Sequence, residues 1–268
     1  MGIPYAEVIG DPIAHSKSPL IHKFWLKSLG IEGDYRSTRV TAGELSSFLA
    51  ARRDDPDWRG CNVTMPHKLG VAEFMDHVDP SARRIGAINT IVNREGLLSG
   101  TNTDWQGLNL ALGDYSASGK DTVLIGAGGA ARAALEELRQ AGPRSLAMLN
   151  RDTAKATRLM EEFGFSGPAM PLGAAPEADL LINASPLGMA GYPPLDIDLS
   201  RLRSGGAVVD MVYHPVETAL LRNARSRGLI AVDGLEMLVW QASMAFQYFF
   251  RTGPEQADSN ALRELLTR

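Results

Sequence analysis

Strand-like and helix-like segments alternate through the first part of this chain. Short strands are predicted at 6–10 and 35–40, a short apolar run occurs at 61–65, and the apolar spacing of helices occurs at 20–29 and 45–52. Gly30 and Pro66 end the first helix and the third strand, and Thr41 to Glu44 predicts a capping box before the second helix. This alternation predicts an α/β domain with a mostly parallel sheet.

The same alternation starts again at residue 122. Strands are predicted at 122–125, 145–149, 179–183, 206–210 and 229–232, with helices at 106–112, 132–140 and 234–250. After Gly253 the sequence predicts a turn and one short terminal helix. The expected fold class is therefore α/β with two domains, the second a Rossmann-type doubly wound sheet. We place the first domain at residues 1–104, completed by terminal helices within about 236–268, and the second at 105–235.

A glycine-rich sequence joins the first strand and the first helix of the second domain. It reads Gly126-Ala127-Gly128-Gly129-Ala130-Ala131 and fits the G-x-G-x-x-A fingerprint of dinucleotide-binding proteins. The first glycine allows a tight turn, the second lets the backbone approach a pyrophosphate, and the small third residue lets the helix pack on its strand. The helix N-terminus offers N–H groups and a positive dipole end to the phosphates. Enough residues precede this sequence to form a separate domain that selects the substrate.

Composition and charge narrow the classes of function. The 268 residues include 27 Lys and Arg against 31 Asp and Glu, a balance that gives no reason to expect a nucleic acid partner. A single cysteine, Cys61, is expected to be a buried structural thiol, and no cluster of metal ligands stands out. No apolar run approaches the ~18 residues of a membrane span, and no signal peptide is recognisable. We therefore expect a cytoplasmic protein that acts on small molecules without a metal or a membrane partner.

Three clusters of polar residues precede the glycine-rich sequence. They occupy residues 62–68, 86–90 and 99–104. In the first cluster a strand leads to a proline-containing turn that ends at Lys68, which by itself also fits a solvated surface charge. In the third, Asp104 precedes the helix at 106–112 and by itself fits a helix N-cap, a role that is compatible with catalysis.

These clusters belong to a series of motifs that resembles the shikimate dehydrogenase family. The motifs occur in the family's order at 10–19, 62–68, 86–90, 100–104, 126–131, 183–189, 210–215 and 233–241, and cover the chain from about residue 8 to 250. The resemblance implies a reversible, NADPH-dependent reduction of 3-dehydroshikimate to shikimate, a step of aromatic amino acid biosynthesis. It also implies that the first domain binds the substrate and the second binds NADP.

The resemblance implies that Lys68 and Asp104 form the catalytic pair. The chemistry supports such a pair independently of the family. Hydride that arrives at a ketone carbon leaves an alkoxide, which needs a proton, and in the reverse direction the alcohol loses one. A lysine can exchange this proton, assisted by a positioned carboxylate. This reaction requires no metal.

The resemblance also assigns the residues that bind the substrate. Ser16 and Ser18 are expected to bind its carboxylate with Tyr213 nearby, and the ring hydroxyls are expected to contact Thr64, Asn89 and Gln241, together with Lys68 and Asp104. A small polyol acid has many donors and acceptors, so its site needs short polar side chains that pair with them. Without the family pattern, the two serines also fit turn or cap positions, Gln241 an exposed helix position, and Tyr213 ordinary packing.

The end of the second strand of the Rossmann domain indicates which nicotinamide cofactor binds. An NAD-selective site usually has an acidic residue there that binds the ribose, whereas this chain has Asn150 followed by Arg151, with Lys155 farther on. The two cations favour a 2′-phosphate, so NADP is expected. Asp152 replaces the family's usual hydroxyl residue, and it either caps the next helix or repels the 2′-phosphate. Matching positions add Met211 and Gly234 to the expected cofactor site.

Other functions remain compatible with this pattern. The nearest alternative is a quinate/shikimate dehydrogenase paralogue that uses NAD or both cofactors. One further candidate is a non-catalytic nucleotide-binding protein, and the presence of both Lys68 and Asp104 argues against it. Another is a folate dehydrogenase of related two-domain design, and the polar residues Ser16, Ser18 and Asn89 argue against that one. The resemblance allows a monomer or a homodimer.

Overall fold

The computed structural model describes residues 2–14, 16–254, 257 and 259–267. The chain divides into two compact units. Unit 1 comprises Met1–Thr103 and Val239–Arg268, and unit 2 comprises Asp104–Leu238. Among the described residues, no helix has both the length and the apolar content needed to cross a membrane.

Unit 1 contains a mixed six-stranded sheet in the order β2-β1-β3-β5-β6-β4. Its strands are β1 (Tyr5–Gly10), β2 (Asp34–Arg39), β3 (Trp58–Val63), β4 (His77–Val78), β5 (Thr90–Arg94) and β6 (Leu97–Thr101), and its first helices are α1 (Ser18–Ser28), α2 (Leu45–Arg53) and α3 (Pro80–Ile85). Strands β2, β1 and β3 run parallel, as the alternation predicts. Strand β5 is antiparallel to both β3 and β6, so that β5 and β6 form a hairpin.

The core of unit 1 forms from the buried faces of these elements. Trp58, Leu49 and Ile9 belong to one apolar cluster of this unit, and Cys61 is buried there as expected. Helix α2 follows the predicted capping box, in which the Thr41 backbone N–H donates to Glu44 Oε2 at 2.9 Å. The strand that the apolar run at 61–65 predicts extends too far, because β3 ends at Val63 and Met65 is 72% exposed.

Unit 2 contains a fully parallel sheet in the order β12-β11-β10-β7-β8-β9. Its strands are β7 (Asp121–Ile125), β8 (Ser145–Leu149), β9 (Ala169–Met170), β10 (Ala178–Asn183), β11 (Leu202–Asp210) and β12 (Ile230–Asp233). Its helices are α4 (Asp104–Leu112), α5 (Gly129–Ala141), α6 (Thr153–Glu162) and α7 (Ala219–Ser226). The predicted α/β fold is confirmed, and the sequence analysis missed the two-residue strand β9.

The strand order of unit 2 reverses between β7 and β10, which are neighbours in the sheet but not consecutive in sequence. In open α/β sheets this reversal leaves a crevice at the carboxyl ends of the two strands, where ligands bind. Helix α8 (Gly234–Phe250) starts in unit 2 and continues in unit 1, which also contains the terminal helix α9 (Asn260–Thr267). The chain therefore changes units after Thr103 and again after Leu238.

Candidate functional site

One edge of the unit 1 sheet carries several of the predicted substrate residues. Thr64 directly follows β3, and Asn89 directly precedes β5. Because β5 is antiparallel to β3, the carboxyl end of one strand and the amino end of the other lie at the same edge. Ser16 belongs to the loop between β1 and α1, and Ser18 is the first residue of α1. Since β1 is parallel to β3, this loop starts from the same edge.

Backbone hydrogen bonds tie the loops at this edge together. The N–H of Thr64 donates to Ile9 O at 3.0 Å, and the N–H of Asp11 donates to Met65 O at 3.0 Å. The N–H of Ile88 donates to Lys68 O at 2.8 Å, which places the lysine turn beside the segment that leads to Asn89. The structure thus brings Thr64, Lys68 and Asn89 to one region of unit 1.

The turn that carries Lys68 is anchored by the adjacent residue, His67. His67 is buried, and its Nε2 lies 2.7 Å from the carbonyl oxygen of Val40. Lys68 is partly buried in the same 3-10 turn, which spans His67–Leu69. The buried His67 side chain therefore has a structural role, whereas the side chain of Lys68 is closer to the solvent.

A buried hydrogen-bond network joins Asn89 to Gln241. Asn89 Nδ2 donates to Thr103 Oγ1 at 3.0 Å, and Asn89 Oδ1 accepts from the Thr103 N–H at 2.8 Å. Thr103 Oγ1 in turn lies 3.3 Å from Gln241 Oε1, to which it donates. Gln241 is buried on α8, so the exposed-helix alternative for it is wrong. Two of the predicted substrate residues are thus held together by Thr103.

The remaining predicted substrate residues have separate surroundings. Ser16 Oγ accepts from the Ser18 N–H at 3.3 Å, which orders the turn before α1. Asp104 is the first residue of α4 in unit 2, where a carboxylate is favoured by the positive end of the helix dipole. Tyr213 lies in the loop after β11 of unit 2 and is 40% exposed, so it is not an ordinary core residue.

The glycine-rich sequence forms the turn between β7 and α5. Gly126 has a φ of +105°, and a Cβ there would lie 3.0 Å from the carbonyl oxygen of Ala184, which follows β10. Only glycine combines this backbone conformation with so close an approach. Gly126 therefore sits at the reversal of strand order, where a ligand crevice is expected.

The N-terminus of α5 has the features that a pyrophosphate needs. Gly128, Gly129 and Ala130 are exposed, and apart from neighbouring residues and the backbone of α5 itself no atom lies within 4 Å of a Cβ built on either glycine. The cap residue of α5 is Gly128, and no side chain caps the helix. The first N–H groups of α5 therefore have no side-chain cap, and the residues present fit a dinucleotide.

Exposed cations follow strand β8. Arg151 and Lys155 are exposed, and neither has an ion-pair partner among the described residues. Asn150 Nδ2 donates to the Asp152 carbonyl oxygen at 2.8 Å, and Asp152 Oδ1 accepts from the Lys155 N–H at 2.9 Å. Asp152 is thus the N-cap of α6, as the first of its two predicted roles requires.

Loops near the other predicted cofactor residues are held by close backbone contacts. The Met211 N–H donates to Asn183 O at 3.0 Å, which joins the ends of β10 and β11. Gly234 begins α8, and a Cβ there would lie 2.6 Å from the carbonyl oxygen of Val212. A side chain at this position would push α8 away from the loop after β11.

A buried polar cluster that the sequence analysis gave no role supports these loops. Asp210 Oδ1 accepts from Asn183 Nδ2 at 2.9 Å and from the Val212 N–H at 3.1 Å. Asp210 Oδ2 accepts from Thr218 Oγ1 at 2.6 Å, and Thr218 also caps α7. Burial raises the pKa of Asp210, and these donors partly offset that rise. Their signal in the sequence is a polar residue at the end of each of two apolar strands.

The comparisons with known proteins cover both units. Residues 8–91 match the family described as the shikimate dehydrogenase substrate binding domain, and residues 109–185 match the family described as shikimate / quinate 5-dehydrogenase. The NADP(+)-dependent shikimate dehydrogenase of Sphingopyxis alaskensis is 52% identical over 98% of this chain and 97% of its own length.

Solved structures with the same fold bind two kinds of cofactor. Shikimate 5-dehydrogenase from Thermus thermophilus in complex with NADP(H) and shikimate has 38% identity and a TM-score of 0.88, and covers 98% of this chain and 99% of its own. Quinate dehydrogenase from Corynebacterium glutamicum in complex with NAD has 29% identity and a TM-score of 0.85, with 98% of each chain covered. Within the described part of the chain, no group of three or more His, Cys, Asp or Glu residues is arranged to hold a metal ion.

Proposed function

The chain belongs to the shikimate dehydrogenase family, and from this premise we propose how its residues carry out the family's reaction. The reaction is the reversible NADPH-dependent reduction of 3-dehydroshikimate to shikimate. The observation that carries this conclusion is the match to an NADP(+)-dependent shikimate dehydrogenase, which is 52% identical and extends over 98% of the chain. Both the polar edge of unit 1 and the glycine-rich turn of unit 2 lie within that match.

The two units have different roles in this proposal. Unit 1 binds the substrate, because it contains the buried polar network of Asn89, Thr103 and Gln241. Unit 2 binds NADP(H), because it contains the uncapped N-terminus of α5 and the exposed cations after β8. When bound, NADPH supplies the hydride.

The substrate is held by polar groups at its carboxylate and at its ring. Ser16 and Ser18, which form one ordered turn, bind the carboxylate with Tyr213. Thr64, Asn89 and Gln241 pair with the ring hydroxyls. Asn89 and Gln241 are buried, so a ring whose hydroxyls do not match their hydrogen-bonding groups would bind more weakly, and this difference provides specificity.

Lys68 and Asp104 handle the proton. Lys68 donates it to the oxygen of the reduced carbonyl and accepts it in the reverse direction, and Asp104 assists the lysine. The anchored turn around His67 restricts where the lysine backbone can be. The backbone of Lys68 is therefore held in place, which keeps the ammonium group within reach of the substrate, as general acid–base catalysis requires.

Arg151 and Lys155 bind the 2′-phosphate of NADP(H), assisted by Asn150. Both cations are exposed and have no competing carboxylate among the described ion pairs, so their charges are available to a phosphate. The glycine-rich turn from Gly126 to Ala130 accommodates the pyrophosphate, and Met211 and Gly234 lie near the nicotinamide.

A second candidate activity is oxidation of quinate with NAD. The observation that favours it is the carboxylate of Asp152, which lies between the two cations in sequence and carries the charge that NAD-selective sites use. Its engagement as the N-cap of α6 favours NADP instead, because the cap turns Oδ1 toward the Lys155 N–H.

Substitution of the catalytic lysine tests the proposed chemistry. Lys68→Met should lower kcat for shikimate by about 100- to 10,000-fold, the usual contribution of general acid–base catalysis. The Kd of NADPH should not change. Lys27→Met, on the exposed end of α1, is the matched control and should retain full activity. Full activity of Lys68→Met would refute the proposed role, and a wild type that binds both ligands without turnover would indicate a non-catalytic binding protein.

A further inference from the structure

Tyr35 is a buried residue of β2 that lies outside the proposed substrate contacts. It is 0% exposed, and its hydroxyl donates to Asn62 Oδ1 at 2.6 Å. Its ring stacks on His22 with 3.9 Å between centroids and 10° between planes, and Phe249 packs beside it. These aromatic contacts fix the ring, so the position of the hydroxyl is fixed as well.

The hydroxyl of Tyr35 supplies the donor for the Asn62 carbonyl oxygen. With Oδ1 accepting from Tyr35, Asn62 Nδ2 donates to Thr90 Oγ1 at 3.1 Å and approaches the Asn89 carbonyl oxygen at 3.4 Å. The carbonyl oxygen can only accept, which requires the amide nitrogen on that side. Both edges of the Asn62 amide therefore have suitable partners.

The same direction continues to Asn89 and Gln241. Thr90 Oγ1 accepts from Asn62, so its own hydrogen donates to Asn89 Oδ1 at 2.9 Å. Asn89 Nδ2 donates to Thr103 Oγ1, whose hydrogen has two acceptors at 3.3 Å, Gln241 Oε1 and Asn89 Oδ1. Each group accepts from the preceding one and donates to the next, which strengthens every bond in the series.

We propose that Tyr35 is a positioning residue for the substrate, because it is the first donor of a buried hydrogen-bond chain that orients the amides of Asn89 and Gln241. This inference rests on the proposed function, in which those two amides bind the ring hydroxyls. The donor inventory explains why orientation matters, since an amide that rotates by half a turn exchanges an acceptor for two donors.

Two further observations agree with this role. Burial raises the pKa of the Tyr35 phenol well above its usual range, so the hydroxyl remains a donor throughout the physiological pH range. The Ser18 hydroxyl also approaches the phenol and partly offsets this rise. Tyr35 thus lies between Ser18, which binds the substrate carboxylate in the proposal, and the chain that leads to the ring-binding amides.

A pair of matched substitutions tests the inference. Tyr35→Phe removes the hydroxyl and keeps the aromatic stack. Tyr5→Phe is the control, because Tyr5 is also buried in the unit 1 sheet and donates to Asp55 Oδ2 at 2.7 Å, outside the chain. Tyr35→Phe should raise KM for shikimate about tenfold, with kcat changed by less than about threefold and the Kd of NADPH unchanged. Tyr5→Phe should leave KM unchanged.

A double-mutant cycle separates positioning from a general loss of structure. In an Asn89→Ala background, Tyr35→Phe should no longer weaken shikimate binding measured by calorimetry, because the amide that it orients is absent. An undiminished effect in that background, or equal KM values for both tyrosine variants, would overturn the inference. Wild-type turnover in the same assay tests the proposed function separately, and a wild type that neither binds nor turns over shikimate would overturn both.

Discussion

Replacement of His22 by phenylalanine is expected to remove an acid sensitivity from the stability of this protein. His22 lies on α1, is 0% exposed, and is surrounded by the rings of Trp25, Tyr35, Phe246 and Phe249. Neither ring nitrogen has a hydrogen-bond partner among the described residues. Burial in this apolar environment lowers the pKa of His22 to about 3.

The size of the effect follows from the difference between the folded and unfolded pKa values. An unfolded histidine has a pKa of about 6.5, so between pH 6.5 and 3 the unfolded state binds a proton that the folded state does not. The contribution of His22 to the free energy of unfolding is therefore fully present above about pH 6.5, and it decreases by about 1.4 kcal/mol for each pH unit below that value. At pH 5.0 the loss from this group is about 2 kcal/mol.

Urea unfolding at pH 7.5 and 5.0, followed by tryptophan fluorescence, measures this loss. Wild type should lose about 2 kcal/mol more than His22→Phe between the two pH values, because the variant lacks the proton-binding group. His77→Gln is the control, since His77 is exposed on β4, and it should follow the wild type. An identical pH dependence in wild type and His22→Phe would refute the reasoning.

Substitutions at three further positions test the cofactor unit. Asp152→Asn keeps a cap acceptor and removes a charge. It should therefore lower the Kd of NADPH about threefold and leave the Kd of NADH unchanged. Asp152→Ala also removes the cap acceptor, so it should in addition lower the free energy of unfolding in urea by about 1 kcal/mol. Equal stability of the two variants would contradict the cap. Arg151→Ala should weaken NADPH binding at least about tenfold more than NADH binding in fluorescence titrations, and an equal loss would contradict the phosphate contact. Thr218→Val removes the cap of α7 and a donor to Asp210, and should cost about 2 kcal/mol in urea unfolding; an unchanged midpoint would contradict the cluster.

The parallel sheet of unit 2 was well predicted from sequence because its strands are buried on both faces. Such strands appear as short, nearly continuous apolar runs, and β8 matches the predicted 145–149. The turn after β7 was equally recognisable, since its glycines serve both the backbone conformation and a close approach. Local requirements of this kind are visible in a single sequence.

The hairpin of β5 and β6 was missed because its turn lacks the usual residues. Glu95 and Gly96 both have positive φ, but glutamate is not typical of such a turn. Strand β9 has only two residues, too few for a pattern.

The buried polar chain could not be predicted for a different reason. Tyr35 and Asn62 are 27 residues apart in sequence, and their hydrogen bond depends on how β1 separates β2 from β3 in the sheet. A tyrosine in a strand gives no sign of which polar residue it will meet. The same holds for His22, because spacing predicts that a helix face is buried but not that its histidine lacks partners.

The specificity constants for shikimate and quinate, each measured with NADP⁺ and with NAD⁺, test the assigned function most directly. The buried amides that we propose to bind the ring and the exposed cations after β8 predict the highest kcat/KM for shikimate with NADP⁺. A higher kcat/KM for quinate with NAD⁺ would contradict this assignment.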